Sequence, residues 1–164
     1  MPYELTDGFI VPAPIDEVWS FFSDAGNLAR ITPPWLGFEM GADTRVPMGQ
    51  GTVLHHTVRW MRLPVRWRSL IVEWTPGRSF ADLQISGPYK LWLHRHEFEP
   101  LNGGGVRCTD HVVYELPAGP FGRLAHAMLV RKQLLEIFVY RRQRIAELLG
   151  RSEASQERPL LRRL

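Results

Sequence analysis

A chain of 164 residues, 45% of them hydrophobic, is long and apolar enough for one domain with a real core, which excludes a disordered chain. No run of 18 apolar residues occurs, so no transmembrane helix is expected, and the amino terminus lacks the basic and apolar regions of a signal peptide. A single cysteine, Cys108, excludes an internal disulfide and a cysteine-rich metal site, and a cytoplasmic location is the default expectation.

The net charge of +3 is unevenly spread. From Gly119 to the C-terminus there are ten Lys or Arg and four Asp or Glu, and the rest of the chain is acidic on balance. A basic helix and tail can touch anionic lipid or nucleic acid, but a solvated helix face is the simpler expectation. Neither specific nucleic-acid binding nor stable membrane insertion is expected.

Tyr3 to Val11 alternates and predicts a first strand, which Pro12 and Pro14 stop. Pro14 can start a helix, with Asp16 and Glu17 in its first turn and Ile15, Val18, Trp19 and Phe22 on its buried stripe. Asn27 caps a second, very short helix from Leu28 to Ile31. Strands are then predicted over 38–42, 52–62, 65–74, 78–85, 89–99 and 106–116. The turns between them carry Leu63-Pro64, Thr75-Pro76-Gly77, Ser86-Gly87-Pro88 and Asn102-Gly103-Gly104-Gly105. Short connections of this kind imply an antiparallel meander.

Gly119-Pro120 breaks the last strand. From Pro120 to about Leu149 the pattern predicts one amphipathic helix of about 30 residues, roughly 45 Å long. Its apolar stripe is Leu124, Ala127, Met128, Leu134, Leu135, Phe138, Ile145 and Leu149. Arg131, Lys132, Glu136, Arg142 and Arg144 take the other faces, and Gly150 suits a left-handed cap. Residues 1–150 are read as one domain and 151–164 as a flexible basic tail. A helix this long needs a concave sheet to lie across, and the space between the two becomes a pocket.

This order of elements resembles the START-like helix-grip fold, also called SRPBCC. The resemblance extends to particular stretches. FIVPAPIDEVWSFFSDAGNLARITPP is similar to the first strand and helix pair of that superfamily. FADLQISGPYKLWLHRHEF and TDHVVYELP look like a bacterial branch of small ligand-binding members related to polyketide cyclases and dehydrases. The match covers roughly residues 5–149. It implies an α+β fold in which a curved antiparallel sheet of about seven strands wraps around a long C-terminal helix. Members bind lipids, sterols, hormones, quinones or polyketides, and only some are enzymes.

Strand parity points to a site. One face of the sheet carries Phe80, Asp82, Gln84, Trp92, His94, His96, Asp110 and Tyr114. Two carboxylates and two imidazoles among aromatics must find hydrogen bonds if buried. With Leu134 and Phe138 from the helix, these residues are the expected lining of a small-molecule pocket. The bound molecule is expected to be a lipid, polyketide, quinone or aromatic compound, held by a monomer or homodimer for transport or sequestration.

The same residues leave other readings open. Asp110 and Asp82 can simply pin the rings to hold the sheet's curvature. His94, His96, Asp110 and Asp82 also fit acid–base catalysis of a cyclase or dehydratase type. His94-x-His96 can ligate a metal, but that spacing is common by chance, so no metal and no cofactor are expected. His55 and His56 are adjacent and face opposite ways. The sequence has no G-x-S-x-G, phosphate-binding loop or dinucleotide fingerprint.

Overall fold

Alternation builds the first strand, β1 (Tyr3–Val11), whose inward residues Tyr3, Leu5, Asp7, Phe9 and Val11 are all buried. The computed structural model describes residues 2–41, 47–60, 63–149 and 159–164. Pro14 precedes helix α1 (Ile15–Phe22), and Asp16 and Glu17 meet the positive end of its dipole. Val18, Phe21 and Phe22 are its buried residues, while Ile15 and Trp19 pack at the margin of the core. A one-turn helix α2 (Asn27–Arg30) and a 3₁₀ turn (Pro34–Leu36) follow.

The chain then runs through β2 (Glu39–Met40), β3 (Val53–Trp60), β4 (Leu63–Thr75), β5 (Ser79–Ser86), β6 (Leu91–Pro100) and β7 (Val106–Glu115). Each is antiparallel to its neighbour, in the order β2-β3-β4-β5-β6-β7-β1. The register between β4 and β5 shifts at Arg68/Ser69 and again at Ile71/Glu73. Such irregularities bend and twist a sheet, and here they fall in its longest strand, where the concave face forms. Ala42 and residues 61–62, expected at strand ends, lie outside the described residues.

An eighth strand, β8 (Leu160–Arg163), pairs antiparallel with the outer edge of β1. This corrects the expectation of a flexible tail at these residues. Without β8, β1 would present a free edge. Leu161 packs against the core around Tyr3 and Leu5, and Arg162 Nε reaches Glu4 Oε2 at 2.5 Å. The rest of the expected tail, residues 151–158, and the Gly150 cap lie outside the described residues.

The long helix starts after a tight turn in which Ala118 and Gly119 have positive φ. It runs through α3 (Gly119–Ala125), a π-helical turn (His126–Val130) and α4 (Arg131–Leu148). A Cβ on Gly122 would collide with the Pro117 carbonyl oxygen, so glycine lets the helix begin close to the end of β7.

The π turn changes which residues face the sheet. Leu134, Phe138 and Ile145 are buried as expected, but before the turn the inward residues are His126 and Val130. Leu124 and Met128, expected on the stripe, are 58% and 75% exposed, and Ala127 is exposed too. A wider turn puts one extra residue into the helix and rotates everything N-terminal to it. Arg142 corrects the pattern the other way. Expected in solvent, it is buried, four residues after Phe138 and three before Ile145.

Candidate functional site

A polar row crosses the inner face of the sheet between two apolar clusters. In register, Asp7 of β1 faces Asp110 of β7, Asp110 faces His96 of β6, and His94 faces Asp82 of β5. On one side lie Phe9, Phe22, Phe80, Phe98 and Ile145. On the other lie Leu5, Trp92, Val112, Tyr114, Leu134 and Phe138. The row exists because β1, β7 and β6 place Asp7, Asp110 and His96 level with one another, and His94, one step along the same face of β6, pairs with Asp82 of β5.

Asp110 is the hub. Its Oδ1 lies 3.1 Å from His94 Nε2. A carboxylate only accepts, so His94 donates through Nε2. His96 Nδ1 stands 2.7 Å from the same oxygen, but off the hydrogen-bond direction, so this is a close electrostatic contact and not a formed bond. The two imidazoles are 4.0 Å apart, and His94 Nδ1 is 3.8 Å from Asp82 Oδ1.

Burial and charge set the protonation of this group. Burial pushes the Asp110 carboxyl up, but the facing His96 and the close polar contacts of both imidazoles outweigh it and hold it well below the usual range. Burial pushes His96 down to about 4, and His94 beside it adds to the fall. At neutral pH His96 is therefore uncharged. At the end of the row Arg142 Nη1 donates to Asp7 Oδ1 at 3.1 Å, both groups being buried. Burial still lifts Asp7 to about 7, Arg142 pulling it down and Asp110 pushing it up.

The row meets a cavity of about 570 Å³ between the sheet, α1 and the long helix. Asp82, His94 and His96 form part of its wall, and Arg141 of α4 joins them. The rest is largely apolar, with Phe22, Leu54, Ile71, Phe80, Trp92, Val130, Leu134, Ile137 and Phe138 among the lining residues. An aromatic chain continues the wall across β3 and β4. Phe38 stacks on His56 at 5.1 Å, His56 on Trp67 at 5.5 Å, and Trp67 meets Trp92 edge-on at 5.3 Å. Burial lowers His56 to about 4, so it serves as a neutral aromatic surface.

Of the residues expected at the site, Phe80, Asp82, Trp92, His94, His96, Leu134 and Phe138 line this cavity. Three expected lining residues sit elsewhere. Asp110 lies behind the histidines. Gln84 spans the β5–β6 connection, its Nε2 donating to the Tyr89 carbonyl at 2.7 Å. Tyr114 is turned toward the π turn, with its hydroxyl 2.7 Å from His126 Nε2.

Sequence reasoning missed Asp7, Arg142, His56, Trp67 and Arg141. Asp7 and Arg142 had a signal, since each interrupts an apolar stripe at its proper spacing. His56 and Trp67 had the parity of the inner face. Arg141 had no signal that separates it from the exposed arginines of the same helix.

Residues 11–136 match the family described as polyketide cyclase / dehydrase and lipid transport. A comparison with curated proteins found no match. Similar solved structures include TTHA0849 from Thermus thermophilus, at 22% identity and TM-score 0.66, over 89% of this chain and 96% of that one. The Zhui aromatase/cyclase from a Streptomyces species is 17% identical with TM-score 0.64, over 90% and 96% of the two chains. Truncated norcoclaurine synthase from Thalictrum flavum is 15% identical with TM-score 0.67, over 93% and 96%. At such identities the structures speak for the fold alone, the START-like helix grip that the sheet and long helix form. Most of the chain, from the end of β1 into α4, carries the family's pattern, and the protein belongs to the polyketide cyclase / dehydrase and lipid transport family.

Proposed function

We propose that this protein binds one small, largely apolar molecule in the cavity between its sheet and its long helix. The observation that carries this reading is the wall itself: an aromatic and aliphatic surface around about 570 Å³, ending in Asp82, His94, His96 and Arg141. That volume suits a single drug-sized ligand. The polar end suits a ligand with oxygen functions at one end, such as a polyketide, a quinone, another aromatic compound or a lipid with a compact head. Phe80, Trp92, Leu134 and Phe138 supply apolar contact in this reading. Asp110 acts from behind by fixing the two rings.

The test begins with organic-solvent extraction of the purified protein and mass spectrometry of what comes off. An apolar compound with oxygen at one end, recovered near one per chain, is the expected result. A polarity-sensitive fluorophore should also bind, and Trp92→Ala and Phe138→Ala should weaken it. No extractable compound, together with fluorophore binding that ignores both substitutions, would overturn the reading.

One observation favours a second use of the same site. His94 donates to Asp110 through Nε2 and so presents Nδ1 as a base. Proton abstraction next to a carbonyl, as in cyclisation or dehydration, would follow. Turnover of a carbonyl substrate that disappears in His94→Gln, with folding intact, is the expected outcome of this second reading. Turnover that survives the substitution rejects it.

A further inference from the structure

We infer that Asp82, His94 and His96 form a binding site for a divalent first-row transition-metal ion at the polar end of the cavity. One donor atom from each of the three lies within 4.8 Å of the others. Ligands about 2.1 Å from a shared ion stand roughly 3–4 Å apart, so small side-chain rotations close the set. His94 Nδ1 and Asp82 Oδ1 are already 3.8 Å apart.

The sheet makes this set. His94 and His96 are two apart on β6 and share its inner face, while Asp82 is the register partner of His94 on β5. Spacing along one strand offers only a pair of imidazoles. Pairing with β5 adds the carboxylate.

Three further observations favour an ion here over a hydrogen-bonded core. First, Asp110 engages His94 Nε2 and lies against His96 Nδ1, so the nitrogens it leaves over are His94 Nδ1 and His96 Nε2. A carboxylate behind a ligating imidazole, fixing its tautomer and orientation, is the usual support of a metal-bound histidine. Here one carboxylate serves two rings. Second, His96 is 4% exposed and its Nδ1 faces Asp110 at 2.7 Å without a formed hydrogen bond; coordination through Nε2 would fix Nδ1 as the N–H that points at that carboxylate. Third, the charge balance suits a cation. Asp82 and Asp110 flank the position, and although Arg141 opposes it, Arg142 is taken up by Asp7.

The donor set selects the ion. Two imidazoles and one carboxylate suit zinc, iron(II), cobalt(II) or manganese(II), whereas calcium and magnesium prefer all-oxygen sites. Three protein ligands leave coordination positions open toward the cavity. An oxygen of the apolar ligand can occupy one and be polarised there. The metal-binding inference stands on the residues alone and does not depend on which ligand fills the cavity.

The test uses the full chain, stripped with a chelator and titrated with Zn(II) by calorimetry and with Co(II) by visible absorption. One ion per chain is expected, with a dissociation constant at or below about 1 μM. Co(II) bands of nitrogen and oxygen ligation, without thiolate charge transfer, are expected as well. His94→Gln and Asp82→Asn should each weaken binding by roughly 100-fold or more, and Asp110→Asn by roughly 10–100-fold. His111→Gln, at a half-buried position that pairs with Glu97 and does not line the cavity, should leave binding unchanged.

Thermal melts guard against loss of folding. Zn(II) should raise the midpoint of the natural chain and of His111→Gln, and leave that of folded Asp82→Asn unmoved. Absence of stoichiometric binding to the natural chain would overturn the inference. So would binding that persists in both His94→Gln and Asp82→Asn. Fluorophore binding measured in excess chelator keeps the two proposals apart, because its survival alongside failed metal binding removes only this one.

Discussion

Replacing Asp110 with alanine tests whether the polar row holds the molecule together. His94 would lose its acceptor at 3.1 Å, and His96 the carboxylate 2.7 Å away, both deep in the core. A hydrogen bond to a charged group contributes about 1.5–3 kcal/mol, and a stranded buried polar group costs about 1–3 kcal/mol. Against this, Asp7 loses the like-charged residue directly opposite it, a relief of no more than about 1 kcal/mol. The net expectation is a loss of about 2–4 kcal/mol. For a chain of this length that lowers the melting midpoint by roughly 4–16 °C. Urea unfolding at neutral pH measures it directly, and Asp110→Asn, which keeps an acceptor, should cost less than Asp110→Ala. A loss below about 0.5 kcal/mol for Asp110→Ala, typical of an ordinary surface change, would refute the reasoning.

Stability should rise as pH increases from about 4 to 6.5. Buried His56 and His96 sit near 4 against 6.5 in the unfolded chain, so the unfolded state binds more protons across that window; their contribution is full above 6.5 and lost on acidification. Asp7, lifted from 3.8 to about 7, works in the opposite sense and offsets part of the gain, leaving a net of order 2–3 kcal/mol between urea melts at pH 4 and pH 7. His96→Gln should flatten this slope, and an unchanged slope would show that His96 is not held neutral. Gly122→Ala should destabilise by about 1–3 kcal/mol, because its Cβ would meet the Pro117 carbonyl; an unchanged melt would mean the helix start can move away. Removing residues 159–164 should lower the melting midpoint and cause concentration-dependent association through the bared β1 edge, and light scattering that stays monodisperse would refute that role for β8.

Much of this molecule was legible in its sequence, because the signals involved are local. Alternation along β5, β6 and β7 is a property of neighbouring residues, and short glycine-containing turns fix which strands pair. Together these put Phe80, Asp82, Trp92, His94, His96 and Asp110 on one face before any coordinates. The proline and glycine breaks likewise marked both ends of the sheet series and the start of the long helix.

Other features were decided only in three dimensions. Arg142 and Asp7 are 135 residues apart, and nothing local says that one neutralises the other. The π turn is a single extra residue whose phase shift becomes visible only against the sheet it packs on, which is why Leu124 and Met128 face outward while His126 turns in. β8 has no strength as an isolated four-residue strand and exists because β1 offers it an edge. The cavity itself depends on how strongly the sheet bends, which follows from irregular pairing between β4 and β5. Sequence alone thus determined which side chains share a face, since that is set by backbone geometry one residue at a time. Tertiary structure decided which of them meet across the fold, since those contacts depend on the curvature and register of the whole sheet.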